Sequence, residues 1–126
     1  MTINESIIND LIRANQRLIE VLAMENTEVN QDATIQRFEF TFELAWKLMQ
    51  EIVQENRRTY RGVKDIIRQS AELGLIVTPT DWFKFLEFRN LTSHTYKAEI
   101  ARSIYGQINE FPSAVNNLLT QAKQFT

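Results

Sequence analysis

Residues 33–56 read ATIQRFEFTFELAWKLMQEIVQEN, and their spacing decides the fold. Apolar side chains recur at Ile35, Phe38, Phe42, Ala45, Met49 and Ile52 in alternating steps of three and four, the period of a helix and not of a strand. A seam of this kind is what an antiparallel helical bundle buries. Phe40, Trp46, Leu48 and Val53 widen it, so the helix is expected to contact more than one neighbour. On another face Glu39, Glu43 and Lys47 form an i, i+4, i+8 row, with Glu43 and Lys47 in the favourable orientation for an ion pair. The row reads either as a solvated face or as two carboxylates facing a polar groove. Asp32, just before the stretch, is the expected cap of a helix over about 33–56.

Working outward, the polar run Asn26 to Gln31 turns the chain. Before it, Ile3, Ile7, Ile8, Leu11, Ile12, Leu18, Ile19 and Leu22 keep helical spacing. A first helix over about 3–25 follows, capped by Thr2 or Asn4. After residue 56 comes the most basic stretch, Glu55 to Gly62, with Arg57, Arg58 and Arg61 around Tyr60. It reads as a solvated connection, or as a patch for RNA phosphates or an acidic partner with a base stacked on the ring.

A third helix, about 62–73, buries Val63, Ile66, Ile67 and Leu73 and stops at Gly74, a natural left-handed terminator. Thr78-Pro79 restarts the chain, with Thr78 as cap, Pro79 at the first helical position and Asp81 in the first turn. The fourth helix, about 79–92, carries Trp82, Phe83, Phe85, Leu86 and Phe88, a cluster that packing explains better than a cofactor box. A last helical segment from about Ala98 to Lys123 is expected to kink or split near Asn109 to Phe111, because Pro112 follows.

Composition bounds the possibilities. The 126 residues fit one domain, 1–126, against a prior of roughly 100–200 residues per domain. Three glycines and two prolines leave little turn material, so the fold class is all-α, an up-down bundle of about five helices. A formal charge of −2 creates no global field for nucleic acid, and any RNA contact must be local. Zero cysteines exclude disulfides, zinc-thiolate sites and thiol catalysis. Neither a signal peptide nor an apolar run of about 18 residues is visible. A cytoplasmic protein without membrane contact, metal or cofactor is expected.

Chemistry concentrates in Arg89-Asn90-Leu91-Thr92-Ser93-His94-Thr95-Tyr96. It holds the only histidine of the chain, hence the only side chain whose ordinary titration falls near neutral pH. Arg89 adds a planar phosphate-matching cation and Tyr96 a hydroxyl. In a continuous helix Arg89 and His94 would lie roughly 140° apart, so they share a face only if the helix ends or bulges, as Thr92, Ser93 and Thr95 allow. Asn90, four residues before His94, could orient the ring.

These groups suit metal-free phosphodiester cleavage, in which a histidine moves the proton and a guanidinium stabilises phosphoryl charge. Attack by a ribose 2′-hydroxyl needs a base and an acid, and a symmetric dimer would bring two histidines to one cleft. The alternative is structural, with Arg89 paired to Glu87 or Glu43 and His94 capping a helix end.

At these residues the chain resembles the HEPN superfamily of small helical bundles, whose signature is Arg, four to six residues, then His. The longer form Arg-Asn-x-x-x-His-x-Tyr is similar to proteins encoded beside a minimal nucleotidyltransferase. Residues 37–47, RFEFTFELAWK, and Gly74-Leu75-Ile76 followed by Asp81-Trp82 resemble the nucleotidyltransferase substrate-binding branch. The resemblance implies a homodimer that partners a nucleotidyltransferase subunit. For HepT toxins it implies a ribonuclease site of Arg89 and His94 with Asn90 beside them, silenced when the antitoxin partner transfers AMP to Tyr96. Thr92 and Ser93 stand where HepT motifs usually have apolar residues, a pattern closer to the substrate-binding branch. A non-catalytic subunit that presents substrate to the transferase is thus the second implied function.

Overall fold

A computed structural model describes residues 2–125; Met1 and Thr126, part of the expected 1–126 domain, lie outside the described residues. Its α-helices are α1 (Ile3–Leu22), α2 (Glu28–Glu55), α3 (Gly62–Leu73), α4 (Pro79–Leu91), α5 (Ala98–Gln107) and α6 (Phe111–Ala122). Single 3₁₀ turns cover Thr92–His94 and Lys123–Phe125, and every regular element among the described residues is helical. The expected all-α class holds, with the fifth helix divided in two.

The seam on α2 explains the arrangement. Ile35, Phe38, Phe42, Ala45, Met49 and Ile52 are all buried, and α2 touches each of the other five α-helices. Phe40 is the exception among the flanking residues, 51% exposed on the face away from the seam. Where α2, α4 and α6 meet, Phe111 packs edge-on against Phe38 at 4.9 Å, Phe85 at 5.0 Å and Trp82 at 5.7 Å between ring centroids. Edge-to-face pairs of this kind add about 0.5–1.5 kcal/mol each beyond burial. The aromatic cluster of α4 is therefore core, as expected.

The helix ends follow local chemistry. Thr2 forms a capping box with Glu5: the Glu5 amide donates to Thr2 Oγ1 at 3.1 Å, and the Thr2 amide to Glu5 Oε2 at 3.3 Å. The second helix starts earlier than Asp32. Thr27 caps it, accepting from the Asn30 amide at 3.1 Å. Glu28 to Gln31 form its first turn, because Glu28 suits the positive helix end and the polar side chains there need no burial. Thr78 holds the cap position of α4 without a side-chain bond, and Pro79 supplies the start. Gly74 ends α3 at φ 83°. The α5–α6 break falls at residues 108–110, one turn before the proline ring sits in the first turn of α6.

Two buried amides tie α1 across the bundle. Asn4 Nδ2 donates to Glu55 Oε2 at 2.9 Å, joining the start of α1 to the end of α2. Asn15 Nδ2 donates to the Pro112 carbonyl and to Asn116 Oδ1, both at 3.2 Å, joining α1 to α6.

Candidate functional site

Arg89 to Tyr96 spans the last turn of α4, the 3₁₀ turn and the connection to α5. The helix ends here as side-chain hydroxyls bond its last carbonyls, the Arg89 carbonyl also accepting from the Thr92 amide. Thr92 Oγ1 donates to the Arg89 carbonyl at 2.6 Å, Ser93 Oγ to the Asn90 carbonyl at 3.2 Å, and Thr95 Oγ1 to the Thr92 carbonyl at 3.2 Å. The Lys97 amide donates to the His94 carbonyl at 3.1 Å and leads into α5. The ending that Thr92, Ser93 and Thr95 allowed is thus realised by their own side chains.

The chemical side chains face outward on this short segment. His94 and Asn90 are exposed, and Tyr96 is 77% exposed. The His94 and Tyr96 rings meet edge-on with centroids 6.1 Å apart, and the Lys97 ammonium lies 6.0 Å from the Tyr96 centroid. A modification of the Tyr96 oxygen would therefore add bulk and charge beside His94. Asn90 Oδ1 accepts from Arg89 Nη1 at 3.3 Å, so this amide is engaged with the arginine rather than with His94.

Arg89 is anchored from α2. Its Nη2 forms an ion pair with Glu43 Oε1, and the other Glu43 oxygen accepts from Trp46 Nε1 at 3.0 Å. The carboxylate row on α2 is therefore resolved in part: Glu43 pairs with Arg89 across helices instead of with Lys47 along its own. The local signal was Trp46, three residues after Glu43 and thus on the same face.

Two shallow concavities of about 340 and 370 Å³ flank the Thr95-Tyr96 segment and share Asp32 as a wall. Another of about 400 Å³ lies at the opposite end of α4, over Trp82 and Phe85, and contains none of the site residues named from the sequence. The concavities beside Tyr96 are of similar size to the one over Trp82, and the exposed segment suits a polymer or protein surface better than an engulfed small molecule.

The basic stretch after α2 is engaged in part. Arg58 Nη1 is held by Glu72 Oε2 at 2.6 Å and Gln69 Oε1 at 2.7 Å. The Arg61 amide donates to Asp65 Oδ2 at 2.9 Å. Tyr60 accepts at its hydroxyl from Gln50 and Gln54, at 2.8 and 2.6 Å, and its ring packs on the core. Arg57 occupies the left-handed region at φ 59°. These bonds build a helix junction. No helix among the described residues is long and apolar enough to cross a membrane.

Residues 6–124 match the family model described as nucleotidyltransferase substrate binding protein like. A Haemophilus influenzae protein named probable ribonuclease HepT is 38% identical over 95 residues, 71% of this chain; the match spans 65% of that relative's length. A crystal structure from Thermus thermophilus superposes with a TM-score of 0.83 at 30% identity, covering 90% of this chain and 98% of that one. A Haemophilus influenzae structure described as revealing the fold of a substrate-binding domain of a nucleotidyltransferase superposes with a TM-score of 0.81 at 31% identity, covering 93% and 99%.

Proposed function

The chain belongs to the nucleotidyltransferase substrate-binding protein-like family, within the HepT-like HEPN proteins, and we propose that it is a metal-independent ribonuclease toxin controlled by a nucleotidyltransferase. The observation that carries the reading is the segment with Arg89 at the end of α4 and His94 and Tyr96 exposed just beyond it, the last two rings in contact. The relative named probable ribonuclease HepT and the family description support it.

The mechanism needs two copies of the chain in one cleft. One His94 takes the proton of a ribose 2′-hydroxyl as its oxygen attacks phosphorus, and the second copy's His94 gives a proton to the departing 5′-oxygen. The P–O5′ bond breaks, leaving a 2′,3′-cyclic phosphate and a 5′-hydroxyl. Arg89 offsets the charge that develops on the phosphoryl oxygens, the largest single contribution in reactions of this type. No step calls for a metal ion.

Control falls on Tyr96. The partner nucleotidyltransferase, acting as antitoxin, transfers AMP from ATP: the tyrosine oxygen bonds to the α-phosphorus, pyrophosphate leaves and the phenolic proton is released. The new phosphodiester puts negative charge and bulk next to His94 and repels an RNA phosphate. Expression of the chain without its partner tests the whole reading. Growth arrest with RNA loss is expected, and His94→Ala should abolish both.

The substrate-binding description favours a second reading, in which the same exposed segment is only the face presented to the transferase. Wild-type protein that leaves RNA intact yet accepts AMP at Tyr96 would support that one.

A further inference from the structure

Arg89 is not free to search for a phosphate. Its Nη2 is paired with Glu43, its Nη1 donates to Asn90 Oδ1 at 3.3 Å, and Glu43 is itself fixed by the Trp46 indole N–H at 3.0 Å. The two Glu43 oxygens divide the work: Oε2 takes the indole of its own helix and Oε1 the guanidinium of α4. Trp46 packs on the core, so the chain of contacts runs from core to ring to carboxylate to guanidinium.

The side chains of Arg89 and Glu43 are 35% and 28% exposed. That is too buried for a screened surface pair and too open for a core pair closed to ligands. A guanidinium carries several N–H donors in a planar fork, so gripping one at each terminal nitrogen leaves the others for an incoming anion. An arginine without such a grip keeps rotamer freedom that a bound phosphate would have to freeze out.

We propose that Glu43, clamped by Trp46, is a positioning residue that holds Arg89 in the orientation that meets the scissile phosphate. The inference rests on the reading that Arg89 stabilises that phosphate during RNA cleavage. Glu43 moves no proton in the reaction, and its effect passes through Arg89. The opposite role is physically open, since a carboxylate on Arg89 could simply compete with phosphate, and the two roles differ in sign.

The test uses the full chain with wild type, Glu43→Gln and Trp46→Phe, and RNA as substrate. Glu43→Gln keeps the shape and removes the charge; Trp46→Phe keeps a ring and removes the N–H, and stays informative if the first variant folds poorly. Loss of positioning should lower kcat about tenfold or more with KM little changed. It should also remove the hindered rotation that the clamp is expected to impose on the side-chain nitrogen signals of Arg89 in arginine-labelled protein. A purely structural pair would shift the melting temperature without either effect, and that result overturns the positioning role. Equal or higher kcat in Glu43→Gln, with active wild type, overturns the positioning role alone. Wild type that cleaves no RNA overturns the ribonuclease reading together with it.

Discussion

Replacing Tyr96 with phenylalanine removes one oxygen from a ring that is 77% exposed and meets His94 only at its edge. Stability should change by less than about 0.5 kcal/mol, as for other exposed substitutions. On the proposed reading, wild type incubated with a nucleotidyltransferase partner and ATP gains the mass of AMP and Tyr96→Phe does not. His94→Ala belongs to the same scale, since the chain has no second histidine to take over proton transfer. A polar residue in the core behaves differently. Asn15 is 2% exposed and bridges α1 to α6, so Asn15→Ala removes two hydrogen bonds of about 0.5–1.5 kcal/mol each and should cost about 1–3 kcal/mol in chemical denaturation.

At the scale of elements, two helix ends make a matched pair of tests. At the end of α3 the Leu75 amide returns to the Ser70 carbonyl at 2.9 Å, and Gly74 supplies the left-handed residue at φ 83°. At the end of α2 the Arg58 amide returns to the Val53 carbonyl at 3.2 Å and the Arg57 amide to the Gln54 carbonyl at 3.0 Å. There the same left-handed position, φ 59°, is occupied by Arg57. A side chain at that position costs about 1 kcal/mol. Gly74→Ala should therefore lower stability by about 1 kcal/mol and Arg57→Gly raise it by somewhat less, read as opposite shifts in Tm. These ends also mark what a sequence can disclose. Gly74 and Pro112 are legible because their backbone preferences are their own. The start of α2 was not, because Asp32 and Thr27 are both competent caps and only the folded first turn selects Thr27. The seam from Ile35 to Ile52 was legible through its period. The Glu43 to Arg89 pair was open in the sequence as one of two structural partners for Arg89, beside Glu87, and it forms; helical spacing alone offers Glu43 the local Lys47 equally well. Trp46 is the detail that turns the carboxylate outward to α4.

Across the whole molecule, α2 is the axle and Phe111 the point where three helices lock. Phe111 is fully buried, and Phe111→Ala should cost about 3–5 kcal/mol in unfolding free energy, enough to threaten the folded state. The same packing leaves His94 and Tyr96 on the exterior connection after α4, with Arg89 at that helix's end, and a single chain offers one histidine there. On the proposed reading two copies are needed for acid and base together, and with a net charge of −2 RNA would be held by the local guanidinium rather than by a long-range field. The most direct measurement is cleavage of RNA by the purified chain in the presence of a metal chelator, with wild type and His94→Ala compared and the product ends identified. Cleavage by wild type should survive the chelator, leave 2′,3′-cyclic phosphate ends and disappear in His94→Ala. Intact RNA with folded wild type, or undiminished cleavage by His94→Ala, would contradict a metal-independent ribonuclease centred on His94.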